Sequence, residues 1–440
     1  MIDRFKHWYY LYRQYIPSGL LYHRHHFAVR RLPRDDGAAA RACREACLRR
    51  ILRIACTHVP YYRATVRLKP TELANEPPFA LLRAFPYLTK ADVMAHHRDF
   101  LHERLDPRLL NYVTTGGSTG EGIGLWRSKR LADIEKGFLL SEWGQFGFSF
   151  HRSTYLRIGA DARRPAHEPP CRRFGNMLLL SPYHIALRHR EAIVAALNRV
   201  RPRFVHAYPS GAAALADLLA SGDLTFPVRA VFLVSEPAAR PQLAAIARLF
   251  HCPVSISYGQ SERVNLAFAR YELGELSPYR FDPMYGETEN LVQPDGRAEI
   301  VGTSLWNDVM PLIRYRTDDF GHVDEHGICH AIDGRAQEFL IDRHGNRVPG
   351  LSVMPDPGSW AFVRLYQIRQ SEPGALRLAV VGKHGSLTAE QKAHLLNEQQ
   401  RRLVGLFDVM LEEVPDIPLA PNGKRKLIDT AARELLTPQC

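Results

Sequence analysis

The chain has 440 residues and a mass of 50.0 kDa, which is too much for one small core and predicts two or three packed units. Hydrophobic residues make up 45% and charged residues 24%, so the composition is that of a globular protein and excludes disordered and fibrous classes. The formal net charge is +12, and residues 1–60 hold 12 Lys and Arg against 4 Asp and Glu, so +8 of that charge lies in this segment.

Residues 1–65 are predicted to form a basic helical lead-in. Between Arg41 and Tyr62 apolar side chains recur at helical spacing while the arginines point elsewhere. The helix is predicted to end at His58, because Pro60 disfavours helical geometry in the residue before it. The favoured interpretation of the positive charge is a solvated helical face, and the alternative is contact with an anionic membrane surface, nucleic acid or a polyanionic partner. We expect no nucleic-acid partner and at most peripheral membrane contact through this segment.

The start of the sequence carries charges where a signal peptide needs its apolar segment, and no stretch approaches about 18 consecutive apolar residues. We therefore expect a cytoplasmic protein. Its seven cysteines are an odd number without a C-x-x-C pair, which argues against a disulfide framework and against a clustered zinc site. We expect the cysteines to be reduced.

The strongest local signal is the segment 112–122, YVTTGGSTGEG, which predicts a phosphate-binding loop. Glycines let the backbone curl around an anion, and hydroxyls and exposed N–H groups supply donors. It is not a Walker A loop, because the required lysine is absent. The alternative is a glycine-rich surface turn. The candidate binding residues are Thr115, Gly116, Gly117, Ser118, Thr119 and Gly120.

The segment 200–262 has the pattern of a parallel sheet. Three β-rich apolar runs, at 203–207, 230–234 and 254–258, alternate with amphipathic helical stretches at 210–221 and 238–250. Ligands bind outside the carboxyl ends of strands in an open parallel sheet, so the three strand ends are predicted to face one crevice. The candidate residues after the strands are Tyr208, Pro209, Ser210, Gly211, Ser235, Glu236, Tyr258, Gly259, Gln260, Ser261 and Glu262.

Two carboxylates are singled out near these strand ends. Glu262 suits Mg²⁺, which takes oxygen ligands from protein and nucleotide together, and the alternative is a helix-capping pair with Ser261. Adjacent residues of a strand point to opposite faces, so only one of Asp318 and Asp319 can enter a given site. We favour Asp319 as an acceptor for ribose hydroxyls, against a plain turn.

The predicted fold class is α/β, with a large N-terminal domain of parallel-rich sheets and a small C-terminal α+β domain. Short strands at 290–333 predict a small antiparallel, β-barrel-like part of the large domain. Two hairpins, a helix at 388–404 and a strand at 408–414 predict the small domain. We place the boundary just after Arg335, giving domains 1–335 and 336–440.

These segments together resemble the AMP-forming adenylating superfamily, and within it the phenylacetate-CoA ligase and capsular-polysaccharide ligase-like branch. The resemblance covers most of the chain and rests on motifs in the family's order. They are the phosphate loop at 115–120, the adenine contact at Ser235-Glu236, the YGxTE-like 258–262, the YRTGD-like 315–319, the Gly334-Arg335 before the hinge and the C-terminal loop Pro421-Asn422-Gly423-Lys424.

The sequence also departs from the family's pattern. Asp318 stands in place of the usual glycine, and Gln337 occupies the hinge position. Gly122-Ile123 replaces the Pro-Lys that usually follows the phosphate loop, so we expect hydroxyls and backbone to hold the triphosphate there. The segment 269–272 has no cysteine, which argues against the zinc site of some relatives.

The resemblance implies ATP-dependent activation of a carboxylic acid, with release of pyrophosphate, and transfer of the acyl group to CoA or another thiol. It implies ATP, Mg²⁺ and CoA as cofactors, a small carboxylic acid as substrate, and CoA or a carrier protein as acceptor. Glu262 would hold the metal, and Lys424, on a small domain that is mobile in this family, would act in catalysis with Ser118 and Thr119. The cofactor contacts would include Arg335. Tyr208 and the small residues 211–213 predict an acyl pocket beside the following helix, with room for a flat or apolar acid.

Two alternatives remain open. One is a nucleotidylating enzyme that leaves AMP on its substrate. The other is a catalytically degenerate nucleotide-binding protein of a polysaccharide or natural-product pathway, although Glu262 and Lys424 are both present. The acid and the acceptor, which could also be a sugar or an amine, stay undetermined by the sequence.

Overall fold

A computed structural model describes residues 28–33, 37–114, 123–159, 162, 167–236, 238, 240–294, 296–332, 339–349, 353, 360, 362–383, 385–417 and 428–430. Several predicted site residues lie outside this part of the chain. They are Thr115, Gly116, Gly117, Ser118, Thr119, Gly120, Arg335 and Lys424. Their roles stay predictions, and so does the domain boundary after Arg335.

The helices of the described chain follow the apolar periodicity of the sequence. They are α1 (Ala38–His58), α2 (Pro60–Thr65), α3 (Pro70–Asn75), α4 (Pro78–Leu82), α5 (Lys90–Ala95), α6 (Lys129–Trp143), α7 (Arg190–Val200), α8 (Pro209–Leu218), α9 (Arg240–Phe250) and α10 (Ala389–Leu403). Helix α1 ends at His58 as predicted, and Pro60 is the first residue of α2, a position where its missing N–H costs nothing. Among the described residues no helix is long and apolar enough to cross a membrane.

The strands are short, and ten of them form one large sheet. They are β1 (Asn111–Thr114), β2 (Gly124–Arg127), β3 (Tyr155–Ile158), β4 (Cys171–Phe174), β5 (Met177–Leu180), β6 (Phe204–Ala207), β7 (Ala230–Leu233), β8 (Val254–Gly259), β9 (Leu266–Glu272), β10 (Glu275–Leu276), β11 (Tyr279–Phe281), β12 (Gly286–Val292), β13 (Ala298–Ser304), β14 (Tyr315–Phe320), β15 (Ile328–Cys329), β16 (Phe339–Ile341), β17 (Arg347–Pro349), β18 (Val363–Gln370), β19 (Ala375–Gly382), β20 (Asp408–Glu413) and β21 (Ile428–Thr430).

The ten-stranded sheet has the order β15-β11-β9-β8-β7-β6-β3-β5-β4, with β10 paired to β9. Strands β5, β3, β6, β7 and β8 are parallel, which confirms the β-α-β-α-β pattern predicted for residues 200–262. The sheet is continued on both sides by antiparallel strands, β4 at one edge and β9 and β11 towards the other. The sequence analysis did not predict these edges.

The two faces of the parallel sheet are covered by different helices. Side chains such as Val205 and Val231 form one core with α7, α8 and α9. The alternate side chains point to the opposite face, as strand geometry requires. There Phe232 stacks on Trp143 of α6, with ring centroids 4.6 Å apart and planes at 9°.

The other strands of the described chain form four smaller sheets, two of which are the pairs β1-β2 and β16-β17. Strands β12, β13 and β14 form an antiparallel sheet, which agrees with the antiparallel part predicted for residues 290–333. Near the C-terminus the order is β20-β19-β18-β21, and α10 packs on this sheet. Strand β21, which the sequence analysis missed, pairs parallel with β18. The core of this α+β unit also receives Tyr183, which follows β5 of the large sheet, so the two sheets are in contact.

Helix α8 packs closely against the large sheet. A Cβ added to Gly211 would be 2.7 Å from Ile158 Cγ2 of β3. Ala212 and Ala213 are buried in the same core. The small side chains of this helix are therefore explained by close packing, and the acyl pocket predicted beside the helix stays a prediction.

This packing predicts the effect of enlarging residue 211. Gly211→Val should lower the free energy of unfolding by about 1–3 kcal/mol, the usual cost of overpacking, because Ile158 is fully buried and has no room to retreat. Gly222→Val is the matched control, since a Cβ there meets no atom within 4 Å. Urea unfolding measures both variants, and equal losses would show that the contact with Ile158 is not the cause.

Candidate active site

The polar residues that follow three parallel strands lie at one edge of the large sheet. Tyr208 comes directly after β6. Ser235 and Glu236 come after β7, and Gln260 and Glu262 come after β8. Because β6, β7 and β8 are adjacent and parallel, their carboxyl ends lie at one edge of the sheet. This confirms the predicted geometry of the strand ends. Pro209 and Ser210 lie in the first turn of α8, and Gly211 follows them into the core.

Two tyrosine–carboxylate hydrogen bonds join β8 and its following turn to β14. Tyr258 Oη donates to Asp319 Oδ2 at 3.0 Å, and Tyr315 Oη donates to Glu262 Oε1 at 3.1 Å. The sequence motifs 258–262 and 315–319 are therefore in direct contact, although more than fifty residues separate them. Glu262 and Asp319, the two singled-out carboxylates, are held at the same end of the sheet.

Tyr258 is fixed by further contacts. Gln260 Nε2 donates to Tyr258 Oη at 2.6 Å, and the Tyr258 ring packs on Phe281 with centroids 5.5 Å apart. Burial, and after it the charge of Asp319, raises the pKa of Tyr258 well above its usual value of 10. Tyr258 therefore remains a neutral hydrogen-bond donor to Asp319 near pH 7. Gly259 and Ser261 are exposed in the turn beside it.

Asp318 and Asp319 both lie in a bulge of β14. Three residues of β14 stand opposite Ile300 of β13, where a regular ladder would have one. Asp318 has a φ of +60°, in the left-handed region that glycine adopts most readily. The glycine that the motif resemblance leads us to expect there would adopt this conformation readily, and aspartate is among the few other residues that tolerate it.

The bulge is held by a buried ion pair. Glu299 is buried, and its Oε2 accepts two hydrogen bonds from Arg316, at 2.9 and 2.7 Å. Its other oxygen accepts from the Asp318 backbone N–H at 3.1 Å. The charge of Glu299 is thus paired and hydrogen-bonded, which is what a buried carboxylate requires. It fixes the backbone from which Asp319 reaches Tyr258.

Two arginines that the sequence analysis did not single out lie beside Glu262. Arg127 of β2 donates to the carbonyl oxygen of Ser261, and Arg263 forms an ion pair with Glu135 of α6, with an N–O distance of 2.5 Å. Burial, and after it the like charge of Arg263, lowers the pKa of Arg127 to about 10. Arg127 still carries its charge near pH 7. The expectation that hydroxyls and backbone of the phosphate loop hold the triphosphate concerns residues outside the described part of the chain and stays a prediction.

Arg127 could have been noticed from the sequence, because it follows the predicted phosphate loop by only a few residues. Strands β1 and β2 pair antiparallel on either side of residues 115–122, with Thr114 opposite Gly124. His97 donates to the Gly124 carbonyl at 2.9 Å and stacks on Trp126, with centroids 4.2 Å apart. A two-stranded stem thus carries the predicted loop, and β2 delivers Arg127 three residues beyond its base.

The remaining predicted contacts also follow the parallel strands. Ser235 has a φ of +72°, which is strained for a residue other than glycine, and strain of this kind concentrates at functional sites. Glu236 beside it is half-buried. Tyr208 lies under the guanidinium of Arg157, with 5.5 Å from Cζ to the ring centroid.

The residues present fit a nucleotide and a divalent cation. Glu262 is half-buried, and its Oε1 accepts the hydrogen bond from Tyr315. Mg²⁺ prefers such carboxylate oxygens and completes its shell with water and phosphate. The described residues contain no cluster of three or more metal-ligating side chains. Glu262 would therefore hold Mg²⁺ together with phosphate oxygens.

No protein-family model matches the sequence, and no curated protein matches it. Solved structures are similar to it. A crystal structure of 2-hydroxyisobutyryl-CoA ligase with 2-HIB-AMP and CoA, in the thioesterification state, has 16% identity and a TM-score of 0.50, covering 91% of this chain and 92% of that chain. An open conformation of that ligase with the same ligands has 15% identity and a TM-score of 0.50, covering 91% and 96%. The amide bond synthetase McbA from Marinactinospora thermotolerans has 19% identity and a TM-score of 0.37, covering 73% and 69%.

Similarity at this level of identity concerns the architecture. It extends over most of the chain, since more than nine-tenths of it is covered in the first two comparisons. The phenylacetate-CoA ligase-like branch stays a prediction. The chain has the fold of the AMP-forming adenylating superfamily, to which its motifs also point.

Proposed function

We propose that this protein activates a carboxylic acid with ATP, releases pyrophosphate, and transfers the acyl group from the resulting acyl-adenylate to CoA or another thiol. In the first step a carboxylate oxygen attacks the α-phosphorus, and the bond to the β-phosphate oxygen breaks. In the second step the thiolate attacks the acyl carbon, and AMP leaves. The substrate carboxylate is ionised near pH 7, so the first step needs no general base.

The observation that supports this proposal is the pair of hydrogen bonds from Tyr258 to Asp319 and from Tyr315 to Glu262. They hold a ribose-type acceptor and a metal-type carboxylate together at the end of a parallel sheet, in the fold of the AMP-forming ligases. In this proposal the Tyr258 ring stacks on the adenine, Asp319 accepts from ribose hydroxyls, and Ser235 and Glu236 border the base.

Stabilisation of charge is the main catalytic requirement, because negative charge builds on the α-phosphate during attack. Mg²⁺ held by Glu262 would neutralise phosphate charge. Arg127 brings a second positive group to the Ser261 turn. Lys424, Ser118 and Thr119 remain the predicted catalytic groups from the part of the chain that the structure does not describe.

Measurement of pyrophosphate exchange against a panel of carboxylic acids tests the proposal. Exchange followed by thioester formation with CoA supports a phenylacetate-CoA ligase-like enzyme, and transfer to a carrier protein would identify a different thiol. A stable adenylylated product would instead support an enzyme that leaves AMP on its substrate. The absence of exchange across a broad panel would contradict carboxylate activation and support a degenerate nucleotide-binding protein.

Glu262→Gln should slow Mg²⁺-dependent pyrophosphate exchange by about 10²-fold or more, because it removes the charge that would hold the metal. The fold should persist, since the side chain is half-buried at a strand end. Glu272→Gln, at the exposed end of β9, is the matched control and should leave the rate unchanged. An unchanged rate in Glu262→Gln would remove this residue from the site.

Asp319→Ala should weaken ATP binding by about 1.5–3 kcal/mol, the range for losing a hydrogen bond to a charged group. Asp318→Gly is the control, because its left-handed φ suits glycine and its side chain is not the partner of Tyr258. Calorimetric titration with ATP measures both variants. If only the Asp318 variant lost affinity, the assignment would be off by one residue.

Lys424→Ala should slow acyl-adenylate formation by about 10²-fold or more, the usual scale for one preorganised donor. Transfer from a synthetic acyl-adenylate should stay near the wild-type rate, because the small domain is expected to turn this lysine away in the second step. Lys426→Ala is the matched control. Equal losses in both half-reactions would contradict the rotation, and a loss confined to Lys426→Ala would identify the other lysine.

A further inference from the structure

The turn that carries Glu262 is held by side chains from three other elements. The turn spans residues 260–263 and follows β8 directly. Tyr315 of β14 and Glu135 of α6 contact it, as described above. Arg127 of β2 contacts it from the side of the predicted phosphate loop. The turn therefore lies where β2, α6, β8 and β14 meet.

Strand β2 is packed against the chain that follows this turn. Leu125 of β2 and Val264 are buried in the same core. Side chains two residues apart on a strand point to the same face, so Arg127 projects on the side of Leu125. There it reaches the carbonyl oxygen of Ser261, three residues before Val264. The core therefore fixes the place of Arg127 beside the turn, and the hydrogen bond is not needed to bring it there.

Arg127 has no charged partner in the part of the chain that the structure describes. The neighbouring Arg263 has Glu135 as its counter-ion, at an N–O distance of 2.5 Å. The hydrogen bond of Arg127 goes instead to the Ser261 carbonyl, which is neutral. Arg127 is half-buried, so water does not fully solvate its charge. A half-buried guanidinium with a neutral partner gains free energy by binding an anion.

The neighbouring charges favour the same event. Arg263 lies close enough to Arg127 for its like charge to help lower the pKa of Arg127, after burial, while Glu135 and Glu262 oppose this effect. A bound anion reduces the repulsion between the two guanidinium groups. With Mg²⁺ on Glu262 the local charge becomes more positive, and an anion then binds more favourably.

The position of Arg127 favours phosphate among the possible anions. Residues 115–122 contain no lysine or arginine, and Arg127 is the first cation after them. It lies three residues after Gly124 at the base of the stem, or about 10 Å along β2. Its guanidinium meets the residue before Glu262, the proposed metal ligand. Phosphates that contact both the loop and the metal would therefore lie beside Arg127, whose planar group can donate two parallel hydrogen bonds to them.

We propose that Arg127 binds the two terminal phosphates of ATP, which leave as pyrophosphate. This inference rests on the proposed function, because it names the residue that distinguishes ATP from AMP in the same site. In that function Tyr258 and Asp319 contact the base and the ribose, and Arg127 contacts the turn three residues beyond Tyr258. The guanidinium leaves the Ser261 carbonyl when ATP binds and returns to it after pyrophosphate leaves.

A purely structural role for Arg127 has different consequences. If Arg127 only ties β2 to the turn, a neutral amide at this position can also donate to the Ser261 carbonyl. A failure of that tie would affect ATP and AMP alike, because both nucleotides need the turn in place. If Arg127 binds the terminal phosphates, its loss affects only the ligands that carry them.

Calorimetric titration with MgATP and with AMP tests the inference. Arg127→Gln should weaken MgATP binding by about 10-fold or more, the scale for losing a hydrogen bond to a charged group, and leave AMP affinity within about 2-fold of the wild type. Arg127→Lys keeps the charge but loses the planar donor pair, so its MgATP affinity should lie between the two. Arg130→Gln is the matched control and should keep both affinities, since Arg130 pairs with Asp308 at 3.1 Å.

Pyrophosphate exchange gives an independent measurement. Arg127→Gln should raise the KM for pyrophosphate by about 10-fold or more, while thioester formation from a synthetic acyl-adenylate stays near the wild-type rate. The reason is that the acyl-adenylate carries no terminal phosphates. Melting temperatures check the fold of each variant, and Arg127→Lys carries the comparison if Arg127→Gln does not fold. Equal losses for MgATP and AMP, or equal slowing of both half-reactions, would overturn the inference.

The inference and the proposed function can fail separately. MgATP binding that Arg127→Gln weakens selectively supports the inference even if no acid gives exchange, and the proposed function alone then fails. Exchange by the wild type, with MgATP affinity and pyrophosphate KM unchanged in Arg127→Gln, overturns the inference and leaves the proposed function in place. A wild type that binds no MgATP overturns both.

Discussion

The site depends on two hydrogen bonds that connect the large, mainly parallel sheet to the three-stranded antiparallel sheet. Tyr258 and Glu262 come from the end of a parallel strand, while Asp319 and Tyr315 come from an antiparallel strand. Each bond pairs a tyrosine of one strand with a carboxylate of the other, so the two strands fix each other's functional groups. A change in the register of β14 would move both carboxylate contacts at once.

The charged side chains around Glu262 balance one another. Two arginines, Arg127 and Arg263, lie beside two glutamates, Glu135 and Glu262. The repulsion between the two cations is part of what lowers the pKa of Arg127, and the glutamates oppose it. Such a balanced cluster can take up a cation and a polyphosphate together without a large change in net charge, whereas either one alone would unbalance it.

The two faces of the large sheet are packed differently although the same strands build both. On one face, α8 comes so close that Gly211 meets Ile158, and the space is filled by aliphatic side chains. On the other face, α6 rests on aromatic rings with polar atoms between them. The alternation of side chains along short strands lets an aliphatic core and an aromatic core lie back to back.

The sequence by itself determined what depends on neighbouring residues. Apolar periodicity predicted the strands and helices of residues 200–262, Pro60 predicted the end of α1 at His58, and the motifs identified Tyr258, Glu262 and Asp319 as a group. Tertiary structure alone decided the contacts between distant segments: the bond from Tyr315 to Glu262, the approach of Arg127 to Ser261 across 134 positions, and the helix that covers each face. These depend on strand register, on the bulge at Asp318 and on the close approach at Gly211, none of which a local pattern specifies. The local pattern fixes which side chains a strand offers, and long-range packing fixes what they meet.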